Sequence, residues 1–190
     1  RMKKRLVVGI SGASGSIYGI RLLEVLQNLP AIDSHLIISK AAKRTIVLET
    51  SYSVRQVENL ADEVYPDHDI AACVSSGSYQ TFGMVVIPCS AKTFAGMANG
   101  LSGNLIERAA DVTLKERRPL VVVPRETPLN LIQLRNLTTL AEAGASILPA
   151  MPAFYQQPQS FDDLADFIAG RVLNLLGIEQ DLFPVWKNGL

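Results

Sequence analysis

The chain is poor in the residues that build metal sites, disulfide frameworks and hydrolytic triads. Cys73 and Cys89 are its only two cysteines in 190 residues, and no Cys-x-x-Cys spacing exists. Neither a zinc site nor a disulfide scaffold is indicated. His35 and His68 are the only histidines. One opens an apolar run, the other lies in a polar stretch, and neither has a nucleophile partner in sequence. A Gly-x-Ser-x-Gly elbow is also missing, since Gly12-Ala13-Ser14-Gly15-Ser16 departs from that pattern. There is no Gly-x-Gly-x-x-Gly fingerprint and no Asp-Asp-x-x-Asp cluster for magnesium and a diphosphate, so no metal is expected. Net charge is +0, with 18 basic and 18 acidic residues. The basic excess of a nucleic-acid binder is therefore lacking. No apolar run reaches the length of about 18 residues that a membrane span needs. Residues 1–5 are basic, but Leu6–Ile10 is too short for the core of a signal peptide. The expectation is a cytoplasmic protein.

Hydrophobic residues make up 48% of the chain and charged residues 19%, which fits a single globular domain spanning residues 1–190. The apolar surplus hints at oligomer contacts. Leu6–Ile10 reads as a strand, followed by a Gly/Ser turn and a helix with Leu22, Leu26 and Leu29 on one stripe. Strands are expected again at 34–39, 84–87, 120–123 and 145–148. Helices are expected at 40–50, 53–60, from 89 to 98, at 104–117, from Thr127-Pro128 to about Ala143, and at 160–176. Ser160-Phe161-Asp162-Asp163 resembles a capping box with Asp replacing Glu. Residues 62–78 read as an irregular excursion. Continuous apolar strands alternating with helices imply an α/β fold, a Rossmann- or flavodoxin-like parallel sheet flanked by helices.

In such sheets ligands bind beyond the carboxyl ends of the strands. The segments expected there are 11–16, 39–40, 89–93, 124–127 and 149–155. They supply hydroxyls, glycines, Lys40, Lys92, Arg125, Glu126 and Tyr155 to one rim, a set that suits phosphate. The 9–15 turn is either an anion site made of backbone N–H groups or simply a tight strand-to-helix turn. Ser90 and Thr93, three apart, either share a phosphate or cap a helix. Cys89 reads as a buried structural thiol, since nothing nearby in sequence would activate it. Arg108, Asp111 and Lys115 fall at i, i+3 and i+7 on one stripe. That stripe is either a solvated ion-pair face or a cationic row aimed at phosphate. Arg125-Glu126 pairs a phosphate-matching guanidinium with a carboxylate able to exchange protons. Glu49 is either a second inward carboxylate or a surface residue.

Residues 6–15, 38–42, 88–93 and 108–128 resemble the UbiX-type flavin prenyltransferases, as do Pro152–Ser160 and Asp181–Trp186. The likeness covers essentially the whole chain. It implies a homo-oligomer, a dodecamer, with sites at subunit contacts. The implied reaction joins the dimethylallyl group of dimethylallyl monophosphate to N5 and then C6 of reduced FMN. The product would be the prenylated-FMN cofactor of UbiD-type decarboxylases in ubiquinone biosynthesis. Carried over by position, FMN contacts fall on Gly12, Ala13, Ser14, Ser39, Ser90, Ala91, Lys92, Thr93 and Arg125. Prenyl-phosphate contacts fall on Arg108, Lys115, Tyr155 and Arg171. Catalytic roles fall on Glu126, Glu49, Ser14 and Lys115, and Tyr155 and Trp186 shape an apolar prenyl pocket. Two rival readings remain, the first of which shares the fold. A flavin-dependent cysteine decarboxylase would need a catalytic histidine and a Pro-x-Met-Asn-x-x-Met-Trp segment, neither of which is evident. A non-catalytic FMN carrier would have no use for the cationic set.

Overall fold

The computed structural model describes residues 3–184 and 186. In chain order the elements are β1 (Lys4–Ile10), α1 (Ser16–Gln27), β2 (Ile32–Ile38), α2 (Lys40–Glu49), α3 (Val54–Glu58), β3 (Glu63–Pro66), β4 (Gly83–Cys89), α4 (Ala91–Ala98), α5 (Leu105–Lys115), β5 (Leu120–Pro124), α6 (Leu131–Glu142), β6 (Ser146–Ile147) and α7 (Phe161–Leu175). The strands form one sheet in the order β3-β2-β1-β4-β5-β6, and every pairing is parallel. This is the doubly wound order, whose direction reverses between β1 and β4 and opens a crevice there.

Both sheet faces are buried, which is why the central strands are apolar at every position rather than alternately. One face carries Leu6, Val8, Ile10, Leu36, Ile38, Val85 and Ile87 and packs against α1, α2 and α7. The other carries Val7, Ile37, Met84, Val86 and Val122 and packs against α4, α5 and α6. Leu22 and Leu26 of the expected α1 stripe are buried, and Leu29 packs at its edge. No helix among the described residues is long and apolar enough to cross a membrane.

Three expectations need correction. Residues 62–78 are not wholly irregular: Glu63–Pro66 is the edge strand, paired with β2 from His35 to Ile38. Its charge and exposure, which blunt a sheet edge against further pairing, also hide it from a search for apolar runs. The strand expected at 84–87 does not end there; β4 runs on through Pro88 to Cys89 with a register shift after Val86, and α4 starts at Ala91 rather than at Cys89. Finally, α6 starts at Leu131 rather than at Pro128. Asn130 and Gln133 form a capping box, Asn130 Oδ1 accepting from Gln133 N at 2.9 Å and Gln133 Oε1 from Asn130 N at 3.0 Å. That reciprocal pair satisfies two helix-end donors, so it outcompetes a lone Thr-Pro start. The capping box expected at Ser160 and Asp163 is present.

Candidate active site

Because all strands run parallel, the turns after β1, β2, β4 and β5 share one rim, as the sequence led us to expect. The two turns flanking the crevice are stitched together by Ser11. Its hydroxyl donates to Pro88 O at 3.0 Å and accepts from Ser90 N at 2.7 Å. The β1–α1 turn is tight for two reasons. A Cβ on Gly12 would lie 2.4 Å from the Ala41 methyl, so the turn can close onto α2 only with glycine there. Gly15 has φ +99°, a left-handed conformation that glycine adopts without strain.

The N-terminus of α1 is not open to a ligand anion. Glu49, the last residue of α2, fills it: its Oε2 accepts from Gly15 N at 2.8 Å and Ser16 N at 3.2 Å. The Ser14 hydroxyl donates to the same carboxylate. Burial alone would raise the Glu49 pKa. The hydrogen bonds from Ser14, Gly15 and Ser16, together with the positive charge of Arg125, outweigh it and hold the group below its ordinary value. Glu49 is therefore a carboxylate at neutral pH, and Ser14 is oriented by it. The reading of the 9–15 turn as a bare anion site is thus corrected: the protein supplies the anion itself.

The next turn is closed in the same way. Lys40 N donates to Asp67 Oδ2 at 2.9 Å, and the buried Ser39 hydroxyl accepts from Ala42 N at 3.1 Å. Nothing in the sequence singled out Asp67, because its partner is a backbone N–H brought close only by the β2–β3 pairing.

The β4–α4 turn differs. Ser90 Oγ caps α4 by accepting from Thr93 N at 3.3 Å and lies 2.9 Å from Thr93 Oγ1. The capping alternative for this pair holds, and capping aligns the two hydroxyls at the helix start. No carboxylate bonds to the first-turn N–H groups of Ala91 and Lys92 among the hydrogen bonds of the described residues. Cys89 is wholly buried below this turn, and burial pushes its thiol pKa far up, which fits a structural thiol and not a nucleophile.

Arg125 reaches the crevice from the end of β5. Its backbone N bonds Cys89 O at 3.2 Å, and its Cγ comes within 3.9 Å of where a Gly15 Cβ would stand. Glu126 follows it, exposed, with Oε1 accepting from Thr127 N at 3.1 Å. On the α7 side, Tyr155, Phe167, Arg171, Phe183 and Trp186 line a cavity of about 650 Å³. The Tyr155 and Trp186 rings meet edge to face at 4.8 Å.

The cationic stripe does not join this group within one chain. Arg108 pairs with Asp111 at 3.2 Å, and Lys115 pairs with Glu116 at 3.1 Å, not with Asp111. Helix α5 starts at the rim, where Leu105 N bonds Asp67 O at 2.7 Å. Lys115 closes its last turn, roughly 15 Å away at 1.5 Å per residue. Moreover, α5 packs on the sheet face opposite α7. Arg108 and Lys115 therefore cannot meet Arg171 of their own chain.

The crevice fits a flavin mononucleotide. A phosphomonoester needs helix-start N–H groups and hydroxyls with no competing carboxylate, which α4 offers. The Arg125 guanidinium and the Ser14 hydroxyl stand on the other side of the same crevice.

Comparison with known proteins agrees. The flavoprotein family model matches residues 1–173. The chain is 54% identical over 186 residues to the flavin prenyltransferase UbiX of Escherichia coli, covering 97% of this chain and 98% of that one. It is 50% identical over 184 residues to the flavin prenyltransferase LpdB of Lactiplantibacillus plantarum, with the same coverages of 97% and 98%. A crystal structure of the UbiX protein PadA1 in complex with FMN and dimethylallyl pyrophosphate superposes with a TM-score of 0.96. It has 46% identity and covers 99% of this chain and 100% of that one. The dodecameric FMN-dependent UbiX-like decarboxylase of Escherichia coli superposes at 0.95, with 47% identity and coverage of 97% and 100%. Likeness to the peptidyl-cysteine decarboxylase EpiD, at 17% identity, shows the fold alone. The chain belongs to the flavoprotein family and, within it, to the UbiX group of flavin prenyltransferases.

Proposed function

We propose that the whole chain acts as one flavoprotein domain that transfers the dimethylallyl group of a dimethylallyl phosphate to N5 and then C6 of reduced FMN, releasing phosphate. The product is prenylated FMN, for use by a UbiD-type decarboxylase in ubiquinone biosynthesis. The observation that carries this reading is 54% identity over 97% of the chain to a flavin prenyltransferase. Two free cysteines accord with a reducing compartment, the cytoplasm.

On this reading the FMN phosphate sits at the start of α4, held by Ser90, Ala91, Lys92 and Thr93. Gly12, Ala13, Ser14, Ser39 and Arg125 border the ring system. Bound there, reduced FMN supplies the nucleophilic nitrogen and carbon. The donor's C–O bond breaks with its electron pair leaving on phosphate, so cations must meet that dianion. Arg171 and Tyr155 do so from one chain, and Arg108 and Lys115 from a second copy, since the fold keeps the two pairs apart. The 47% identical neighbour is a dodecamer, and an assembly of that kind supports a site shared between copies. Tyr155 and Trp186 present aromatic faces to the allylic carbons. The proton lost from N5 passes through the Ser14 hydroxyl toward Glu49. Ring closure adds one proton to the alkene and removes one from C6. Glu126, exchanging a proton with the departed phosphate, serves both steps.

Anaerobic incubation with reduced FMN and dimethylallyl monophosphate, with the diphosphate in parallel, tests the reading. Mass analysis of the extracted flavin is expected to show the gain of one five-carbon unit. Unmodified flavin on a loaded protein with either donor would replace the enzyme with a carrier. Oligomers refolded from a mixture of Lys115→Ala and Ser90→Asp chains are expected to regain activity that neither variant has alone, because some sites then combine two intact halves.

A further inference from the structure

Glu49 must reach 34 positions back along the sequence to cap the β1–α1 turn, yet it is the last residue of α2. Thr50 after it is already extended, with φ −130° and ψ 168°. The last turn of a helix is where fraying begins. Something has to fix that end.

Five side chains, from the segment after α2, from α1 and from α7, do so. The Thr50 hydroxyl donates to Ile46 O at 2.8 Å, and Tyr52 N donates back to Thr50 Oγ1 at 3.1 Å. The Tyr52 hydroxyl then donates to the Glu24 carboxylate on α1. The other Glu24 oxygen accepts from Arg21 Nη1 at 2.8 Å, and Arg21 Nε donates to Asp166 Oδ1 on α7 at 2.6 Å. Arg21 and its two carboxylate partners are each largely withdrawn from solvent, so these charge-assisted contacts are screened less than surface pairs. The same groups border a groove of about 630 Å³ that opens directly onto Ser14 and Glu49. No step of the reaction uses Arg21, Glu24 or Tyr52.

We propose that Arg21, Glu24 and Tyr52 are positioning residues: in series from Asp166 on α7, they hold the end of α2 so that the Glu49 carboxylate stays on Ser14, Gly15 and Ser16. The inference rests on the reading of Glu49 as the group that works with Ser14. Arg125 acts on Glu49 from the loop after β5, and Arg21 and Glu24 from α1 and Asp162 from α7 line the same groove. When the end of α2 loosens, Glu49 loses its backbone donors while this set of charges remains. Its pKa then rises toward the ordinary carboxylate value.

Tyr52→Phe removes the one hydroxyl and keeps the ring. Turnover is expected to fall about five-fold, with KM for reduced FMN and for the donor within two-fold of wild type. The acid limb of the kcat–pH profile is expected to move up by about half a pH unit. Glu24→Gln, which still accepts from Tyr52, is expected to keep most of the turnover that Glu24→Ala loses. Because the contacts act in series, Arg21→Met combined with Tyr52→Phe is expected to cost little more than either alone. All assays are run well below the melting temperature of the variants. An unchanged turnover in Tyr52→Phe, or a reduced one with an unmoved acid limb, overturns the proposal. Glu49→Gln separates the two levels. Full activity there removes Glu49 itself from the mechanism, whereas an inactive Glu49→Gln beside a wild-type-like Tyr52→Phe removes only the positioning chain.

Discussion

The β1–α1 and β4–α4 turns leave neighbouring strands on either side of the crevice. Both carry serines ahead of a helix, and both end in a helix start at the same rim. In the first, the Glu49 carboxylate already takes the N–H groups of Gly15 and Ser16. In the second, Ser90 Oγ lies against Thr93 Oγ1 and accepts from Thr93 N, and no carboxylate among the described residues arrives. A helix start carries about half a positive charge and attracts whichever anion can reach it. The lesson is that composition makes a turn receptive, while the end of another helix decides whether it stays available. On the proposed reading, one turn becomes the pair of Ser14 with Glu49, and the other the place for the phosphate.

Making the second turn like the first is expected to have the largest effect. Ser90→Asp keeps a good helix cap, so the melting temperature should stay close to wild type. FMN affinity should fall about 100-fold, roughly 2.7 kcal/mol, because the anion is now built in. Calorimetric titration with FMN alongside thermal melts checks this; wild-type affinity would mean the phosphate binds elsewhere.

Making the first turn less like itself comes next. Glu49→Gln should bind FMN within a few-fold of wild type yet lose turnover by about 100-fold, in the range of a lost general base. A single-turnover assay on flavin-loaded protein separates the two quantities. If binding collapses instead, the contrast between the turns is wrong.

The smallest effect is on stability. The folded-state pKa of Glu49 is depressed, so its contribution is present above the ordinary carboxylate pKa and fades as pH falls through the lower folded value. After screening by solvent it amounts to about 0.5 kcal/mol, or ~1–2 °C in Tm. Wild type should therefore melt slightly above Glu49→Gln at pH 7, and the gap should close toward pH 3. A gap that widens in acid would mean the carboxylate is not held in its ionised form.

Much of this molecule is written locally. The apolar runs at 6–10, 84–87 and 120–123 are strands because their residues favour the pleated backbone and are buried on both faces. Ser160 with Asp163 starts α7 because a three-residue spacing is all a capping box needs. Cys89 reads as inert because no partner stands near it. The same locality explains the failures. β3 is short, charged and defined only by its pairing with β2, and the start of α6 depended on a stronger cap three residues downstream.

The sequence alone determined the alternation of strands and helices, the segments that share the rim at the carboxyl ends of the strands, and which of their side chains carry chemistry. Only the tertiary structure decided which helix start is filled and which is open. It also decided that Asp67 closes the third turn, and that Arg108 and Lys115 stand on the opposite sheet face from Arg171. The reason is physical: hydrogen bonds and periodicities within a few residues are set by chain geometry. The Glu49–Gly15 and Asp67–Lys40 contacts join residues 34 and 27 positions apart, and those distances are fixed only when the sheet orders its strands.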